Sequence, residues 1–521
     1  MFFQDKTRNI YLAILVVASC FVFFWNLGGA SLAEWDEGIY ALISHNIVET
    51  GNLNLTWDGQ NNFWEKPPAG YWLEALAIKI FGLSEFSVRF FSSIFLLLSI
   101  ILVYLLAEKI FKNKHLSFIS AVVVLLSPAL LHQHMARSGD LEAYLLFFTL
   151  ASLYFLKLAE EKPKLLWLSG AMVGLGIMFR GSSGVLVIGV CVAYLILSGV
   201  WRRFNWKNYL GYLTAILVVV LPWHIYQLII FGREFWEVYF MQHFLSRISE
   251  PIQSHTGRWD HYFQYFRLTN GIWIIPCYLG MFYGAIQILV YKNQKWLLPL
   301  LWFWVIMLPL AIMQTKLYWY GIILIPPFFY LGVAYLYEII QKNKRPWLWL
   351  TNGTLIFCWL FISKLDVFHF GIRERWYFLA GVLVASAILS LIIIQKDKIL
   401  FWQKFNSLFL IIFLLGFGLK IIQVDYKFIN NSNQASIEIL ANKIADLKIE
   451  NTKIATDETF EWFNGWPLPS AQFYVERLGK NKLDYQTEPT KIGEYDYLIS
   501  NKDLDYISIT QVNELRLYKI E

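Results

Sequence analysis

The sequence predicts an α-helical polytopic membrane protein that ends in a small extracytoplasmic α/β domain. Three observations predict it. Of 521 residues, 57% are hydrophobic and 16% charged, and the mean hydropathy is +0.47, a combination foreign to soluble chains of this length. Apolar runs long enough to cross about 30 Å of hydrocarbon recur down the chain. From about residue 425 those runs stop and polar residues rise. The aromatics, 23 Trp and 29 Tyr among them, suit the headgroup zone, where amphipathic rings have one apolar and one wet side.

In chain order, the apolar runs fall near 9–28, 86–111, 116–136, 140–159, 164–181, 183–200, 208–231, 271–291, 296–313, 318–340, 346–363, 375–394 and 405–423. That gives about thirteen spans. Lys6 and Arg8 precede the first. It is too long for a signal-peptide core and reads as a retained span. Alternate short loops are basic: Lys112 to Lys114, Lys162 to Lys164, Arg202 and Arg203 with Lys207, Lys292 with Lys295, Lys342 to Arg345, and Lys396 with Lys398. They share a side with the N-terminus, which the positive-inside rule makes cytoplasmic. The long loops 29–85 and 232–270 and the C-terminal tail then lie outside. The net charge of +6 is spread over these loops as a topology signal, so no nucleic-acid partner is expected.

The domains expected are 1–424, membrane-embedded, and 425–521, soluble. In the latter, Ile437, Leu440, Ile444 and Leu447 recur at helical spacing. Strand-like runs follow at 453–456, 497–500 and 515–520. Cys20, Cys191, Cys277 and Cys358 each sit inside an apolar run. They read as small buried hydrophobes without disulfide, metal or catalytic duty.

The first external loop carries the densest chemistry. Asp36 and Glu37 open a stretch in which Ile39, Leu42, Ile43 and Ile47 share a helical face, an amphipathic helix expected on the membrane surface. Pro67-Pro68 starts a second helix, with Leu73, Leu76, Ala77 and Ile80 on one face. Singly, Glu37 reads as an acid complementing a helix dipole and Lys79 as a snorkelling cation. Together, Asp36, Glu37, Glu65 and Lys66 concentrate charge where chain meets lipid, which is costly and points to function.

This loop resembles the signature of the GT-C glycosyltransferases related to protein O-mannosyltransferases and lipid A aminoarabinose transferases. The match runs Asp36-Glu37, Tyr40-Ala41, Gly51, Glu65-Lys66-Pro67-Pro68, Tyr71-Trp72, Phe81-Gly82-Leu83-Ser84-Glu85 and Arg89. Asp140 matches an acidic position of the family, while its residue type also suits a helix N-cap. Gly176 to Gly181 resembles a segment that usually has Lys before Gly; Arg180 stands there, and Arg still holds a phosphate bidentately. Leu221-Pro222-Trp223, Phe231 to Phe235, and His255 to Arg258 with Tyr262 also resemble the family. Lys316 and Tyr320 match its Lys-Leu-Pro-x-Tyr segment, with Tyr318 in place of Pro.

The resemblance implies a polyprenyl-phosphate sugar donor, undecaprenyl or dolichyl, and a lipid, glycan or protein acceptor on the external face of a bacterial inner membrane. It implies inversion, so one base and no covalent intermediate. Asp36 is the expected base, with Asp140 and Glu37 as the other catalytic carboxylates. Lys66, Arg180, Arg258 and Lys316, with Tyr320, are the expected contacts to the lipid phosphate, whose charge grows as the glycosidic bond breaks. Glu65 and His255 are the candidate metal pair for zinc, although two ligands fall short of a structural site; no other cofactor is expected. No phosphate-cradling Gly loop ending in Lys-Ser or Lys-Thr is present, in keeping with a lipid-linked donor. Protein O-mannosyltransfer is the rival within the class. A flippase without chemistry is the rival outside it; that would place charge mid-span, often in repeated halves, and no repeat is seen.

Overall fold

The computed structural model describes residues 5–33, 35–56, 61–127, 130, 134, 137–246, 256–270, 273–341, 436–457, 461–463, 466–479, 481–486 and 489–520. The described chain is mostly helical. Its apolar helices are α1 (Lys6–Phe24), α4 (Glu85–Phe111), α5 (Lys114–Leu125), α6 (Glu142–Ala159), α7 (Leu166–Arg180), α8 (Ser182–Ser198), α9 (Trp206–Phe235), α11 (Ile274–Leu289), α12 (Leu297–Ile312) and α13 (Ile325–Gln341). The long loops add α2 (Asp36–Thr50), α3 (Ala69–Phe81) and α10 (His261–Asn270). Among the described residues, 6 helices are long and apolar enough to cross a membrane, which makes the chain a multi-pass membrane protein. Each span expected up to 318–340 falls on a helix; those at 346–363, 375–394 and 405–423 lie outside the described residues.

The chain divides into two compact units. The first comprises Met1–Cys20, Leu96–His132 and Tyr144–Asp425. Its helices pack through small residues, as helices do where lipid supplies no hydrophobic drive between them. A Cβ added at Gly280 would collide with the Leu331 carbonyl of α13. Gly181 divides α7 from α8 at φ 59, ψ −123, a conformation that a Cβ all but forbids. That reversal leaves Arg180 at the turn. α9 opens with a capping box between Asn205 and Asn208, which satisfies donors at the helix start reciprocally. It breaks at Gly232 (φ 54), and a π-helical stretch, Trp236–Ser246, follows. Leu213, Val218, Ile225 and Ile229 of α9 are exposed, an apolar face suited to lipid.

The second unit comprises Phe21–Phe95, Gln133–Ala143 and Tyr426–Glu521. Its sheet has the order β4-β1-β5-β7-β6, with β1 Lys453–Thr456, β4 Lys482–Tyr485, β5 Tyr497–Ser500, β6 Ile507–Val512 and β7 Leu515–Lys519. β1 pairs parallel with β4 and β5, and β7 antiparallel with β5 and β6. A separate two-stranded ribbon joins β2 (Glu461–Phe463) and β3 (Trp466–Pro467). Helices α14 (Ser436–Asp446), α15 (Pro469–Gly479) and α16 (Pro489–Ile492) complete it. Ile437, Leu440 and Ile444 are buried as their spacing requires, while Leu447 falls beyond the end of α14 and is exposed.

Two expectations for the loop 29–85 are corrected. α2 is not a half-exposed surface helix: Glu37 to Ser44 are all buried, and so is Ile47. Leu42, Ala41, Leu32, Ile78 and Val88 share one apolar core with Ile437, Leu440, Phe473, Tyr474 and Leu517. The C-terminal segment covers the side that periodicity assigned to solvent. In α3 the buried face carries Tyr71, Glu74, Ala75 and Ile78, while Leu76 and Ile80 are 45% and 60% exposed. In lipid, an apolar face is stable outward and the polar residue turns inward.

Candidate active site

The segment between α1 and α2 is held by one buried ion pair. Arg89, in the first turns of α4, donates Nε to Glu37 Oε1 at 2.7 Å and Nη2 to Oε2 at 2.9 Å. Its remaining donors reach the carbonyls of Leu27, Ala30 and Ser31. Glu37 also accepts the N–H groups of Ala33 at 2.7 Å and Gly139 at 2.9 Å. Burial works against its charge, but the Arg89 guanidinium and the two backbone donors hold its carboxyl below the ordinary value. Both oxygens are thus filled, and Glu37, expected among the catalytic carboxylates, stands in the structure as an anchor joining four stretches of chain.

Asp36, one residue earlier, turns the other way. Lys66 Nζ donates to Asp36 Oδ2 at 3.1 Å and to the Tyr40 hydroxyl, and lies 4.6 Å from the Tyr40 ring centre. Asp36 and Tyr40 share a face of α2 because they are one turn apart. Tyr71 packs edge-on against Tyr40 at 5.1 Å. Pro67 and Pro68 start α3 directly after Lys66 and so set where its stem enters. Lys66 is 5% exposed at its side chain and Asp36 23%. The carboxylate therefore keeps access that the ammonium has lost.

Asp140, buried ahead of α6, meets His134 Nδ1 at 3.3 Å. Burial disfavours charge on His134, yet the Asp140 hydrogen bond and the carboxylates of Asp140, Asp36 and Glu142 raise it to about 9, so the ring is a cation at neutral pH. Ligand atoms of Asp36, His134 and Asp140 lie within 4.8 Å of one another. Two carboxylates and an imidazole could ligate a divalent cation. Glu65 is half-buried beside Lys66, and His255, its expected metal partner, lies outside the described residues.

Glu74 is buried on the inward face of α3, and its Oε1 makes no hydrogen bond among the described residues. Burial, then the nearby Glu37 and Asp140 carboxylates, push it well above the ordinary carboxyl value. Sequence reasoning missed both His134 and Glu74. Neither lies in a spacing pattern; only the chain path brings His134 to Asp140 and turns Glu74 inward.

The other expected residues lie in the first unit. Arg180 is buried, with its guanidinium 5.8 Å from the Tyr320 ring centre. Lys316 Nζ donates to the carbonyls of Leu310 and Ala311 at 2.7 and 2.8 Å, closing the C-terminal end of α12; burial lowers its pKa. Tyr318, the departure from the family's Pro, stacks on His261 at 4.5 Å. Arg258 is 76% exposed at its side chain and pairs with Asp260 at 3.3 Å. Arg180 and Tyr320 are thus brought together, while Lys316 and Arg258 each have other partners.

Comparison with known proteins bears out the family resemblance. The family model described as dolichyl-phosphate-mannose-protein mannosyltransferase matches residues 65–226. The undecaprenyl phosphate-alpha-4-amino-4-deoxy-L-arabinose arabinosyl transferase 2 of Proteus mirabilis is 26% identical over 66% of this chain and 62% of its own length. A transferase of Pseudomonas aeruginosa is 28% identical over 49% of this chain and 47% of its own. The chain thus spans less than two thirds of these relatives. The crystal structure of ArnT from Cupriavidus metallidurans bound to undecaprenyl phosphate superposes with a TM-score of 0.68, at 17% identity and 98% coverage of both chains. The oligosaccharyltransferase AglB from Archaeoglobus fulgidus gives 0.55 at 13% identity, covering 96% of this chain and 70% of that one.

Proposed function

We propose that this chain, a GT-C-fold relative of the polyprenyl-phosphate-dependent transferases, is an inverting glycosyltransferase. It moves a sugar from a polyprenyl-phosphate donor to a hydroxyl of a lipid or glycan acceptor. The reaction runs at the external, periplasmic face of a bacterial inner membrane, opposite the Lys- and Arg-rich loops. The observation that carries this reading is the Asp36–Lys66 pair, 3.1 Å apart, with Asp140 and His134 beside it.

The two halves of the pair suit the two ends of the reaction. As the glycosidic bond breaks, the leaving phosphate gains negative charge. Lys66, held dry beside Tyr40, leaves Asp36 to meet that charge, an attraction that is stronger where water is scarce. As Lys66 turns to the phosphate, Asp36 loses its counter-ion and becomes a better base. It takes the acceptor's proton while the alcohol oxygen attacks the anomeric carbon from the face opposite the phosphate. Asp140 and protonated His134 form the polar wall that orients the acceptor. Arg180 with Tyr320, Lys316 and Arg258 are proposed as further donor-lipid contacts on the strength of their motifs.

The test is transfer by the purified protein across a panel of undecaprenyl- and dolichyl-phosphate sugars, with product analysis. Wild type is expected to consume one donor. Asp36→Asn should lose at least about 100-fold in kcat, the scale of general-base catalysis, while retaining donor-lipid binding. Full activity in Asp36→Asn would remove the base assignment; a wild type that consumes no donor would remove the function.

A further inference from the structure

We infer that the C-terminal segment belongs to the catalytic apparatus: through Tyr474, Glu438 and Arg477 it holds the strap of residues 27–33 and so sets where Asp36 stands. The inference rests on the transferase reading above and deepens it. Its starting point is Trp35, which has φ 71 and ψ −123 immediately before Asp36. A bulky residue rarely adopts that conformation, and it persists only where the surroundings over-determine it.

The surroundings do so from two sides. From α4, Arg89 takes the carbonyls of Leu27, Ala30 and Ser31. From the C-terminal segment, the Tyr474 hydroxyl accepts the N–H of Leu32 at 2.7 Å, in a buried setting. Glu438 Oε2 accepts the Ser31 hydroxyl at 2.6 Å. Ser31 therefore binds α4 with its carbonyl and α14 with its side chain, and the next residue binds α15. The start of α15 also presses on the first turn of α2, since a Cβ added to Gly38 would stand 3.2 Å from both Pro469 Cβ and Ser470 N.

Arg477 locks these contacts to α4. It donates at 2.9 Å to both oxygens of Glu85, stands 3.9 Å from Glu438, and covers the rings of Phe473 and Tyr474 at 5.6 and 5.0 Å. Packing alone would need only the apolar core that these elements share. The polar contacts converge on the residues just ahead of Asp36, where a small displacement is felt by the reacting carboxylate. Tyr474 is thus a positioning residue, acting through the strap.

The experiment uses the full-length protein in lipid nanodiscs. Transfer kinetics and amide hydrogen exchange are measured for wild type, Tyr474→Phe, Ser31→Ala, Arg477→Glu, and the swap Arg477→Glu with Glu85→Arg. Tyr474→Phe is expected to lower kcat by roughly 10-fold to 100-fold, with donor KM within about twofold and the global melting midpoint kept. Exchange in residues 30–38 should quicken by about tenfold or more, while β1 stays protected. Ser31→Ala should act in the same direction, and the swap should recover part of what Arg477→Glu loses. Unchanged exchange at 30–38 in both Tyr474→Phe and Ser31→Ala would overturn the inference, whatever the activity. So would faster exchange with wild-type kcat. A wild type that transfers nothing would overturn the transferase reading instead, while exchange still decides whether the strap is held from the C-terminal side.

Discussion

Replacing Glu37 by Gln leaves Arg89 buried with its charge uncompensated. Breaking such a pair from one side costs about 3–5 kcal/mol, so Glu37→Gln is expected to lower the thermal midpoint sharply in detergent melts. Asp36→Asn takes the counter-ion from buried Lys66 but at the partly exposed member of the pair, so it should lower the midpoint by less. The adjacent acids of one motif thereby separate into a filled anchor and an accessible carboxylate, the proposed base, a division set by their opposite directions from α2. His134 supplies a pH signature. Its value in the folded chain is about 9, against an ordinary 6.5. The folded chain keeps this proton where the unfolded chain releases it, so the stabilisation is full below about pH 6.5 and is lost as pH rises through about 9. Melting midpoints taken across that window should fall with pH, and His134→Gln should flatten that part of the slope. An unchanged slope in the variant would mean that His134 carries no charge next to Asp140.

For the elements, the turn between α7 and α8 depends on Gly181. Gly181→Val forces a β-branched residue to φ 59, at a cost of about 1–3 kcal/mol, and disturbs Arg180 on its N-terminal side. The expected result is a raised donor KM with kcat less affected, read from initial rates at varied donor lipid. Periodicity and turn chemistry made many elements legible. The helix opening at Asp36, the helix after Pro67-Pro68, and the strands 453–456 and 497–500 all have a local cause in the residues themselves. The sheet's margins were less legible. Residues 482–485 and 507–512 are the outer strands β4 and β6. An outer strand is paired on one side only, so burial imposes less of the apolar pattern by which strands are read. The exposed start of β6 shows this directly.

For the whole molecule, the basic loops give an orientation that labelling can check. In a cysteine-free background, cysteines placed at Lys164 and Lys295 should react with impermeant reagent only after the membrane is opened. One at Asn52 should react in intact cells or spheroplasts. The reverse pattern would put the Asp36 loop on the cytoplasmic side, away from the proposed acceptor. What the sequence by itself determined is whatever follows from local pattern: apolar runs of spanning length, the start of helices at Asp36 and after Pro68, and the short motifs that carry the family resemblance. Only the tertiary structure decided that Glu37 is an anchor, that His134 meets Asp140, that Glu74 turns inward, and that α2 lies beneath the C-terminal segment. The physical reason is separation along the chain. Glu37 is joined to Arg89 across 52 residues and to Gly139 across 102, and Leu32 to Tyr474 across 442. Periodicity reports which face of an element is apolar. It does not report what covers that face, nor whether lipid or protein lies against it.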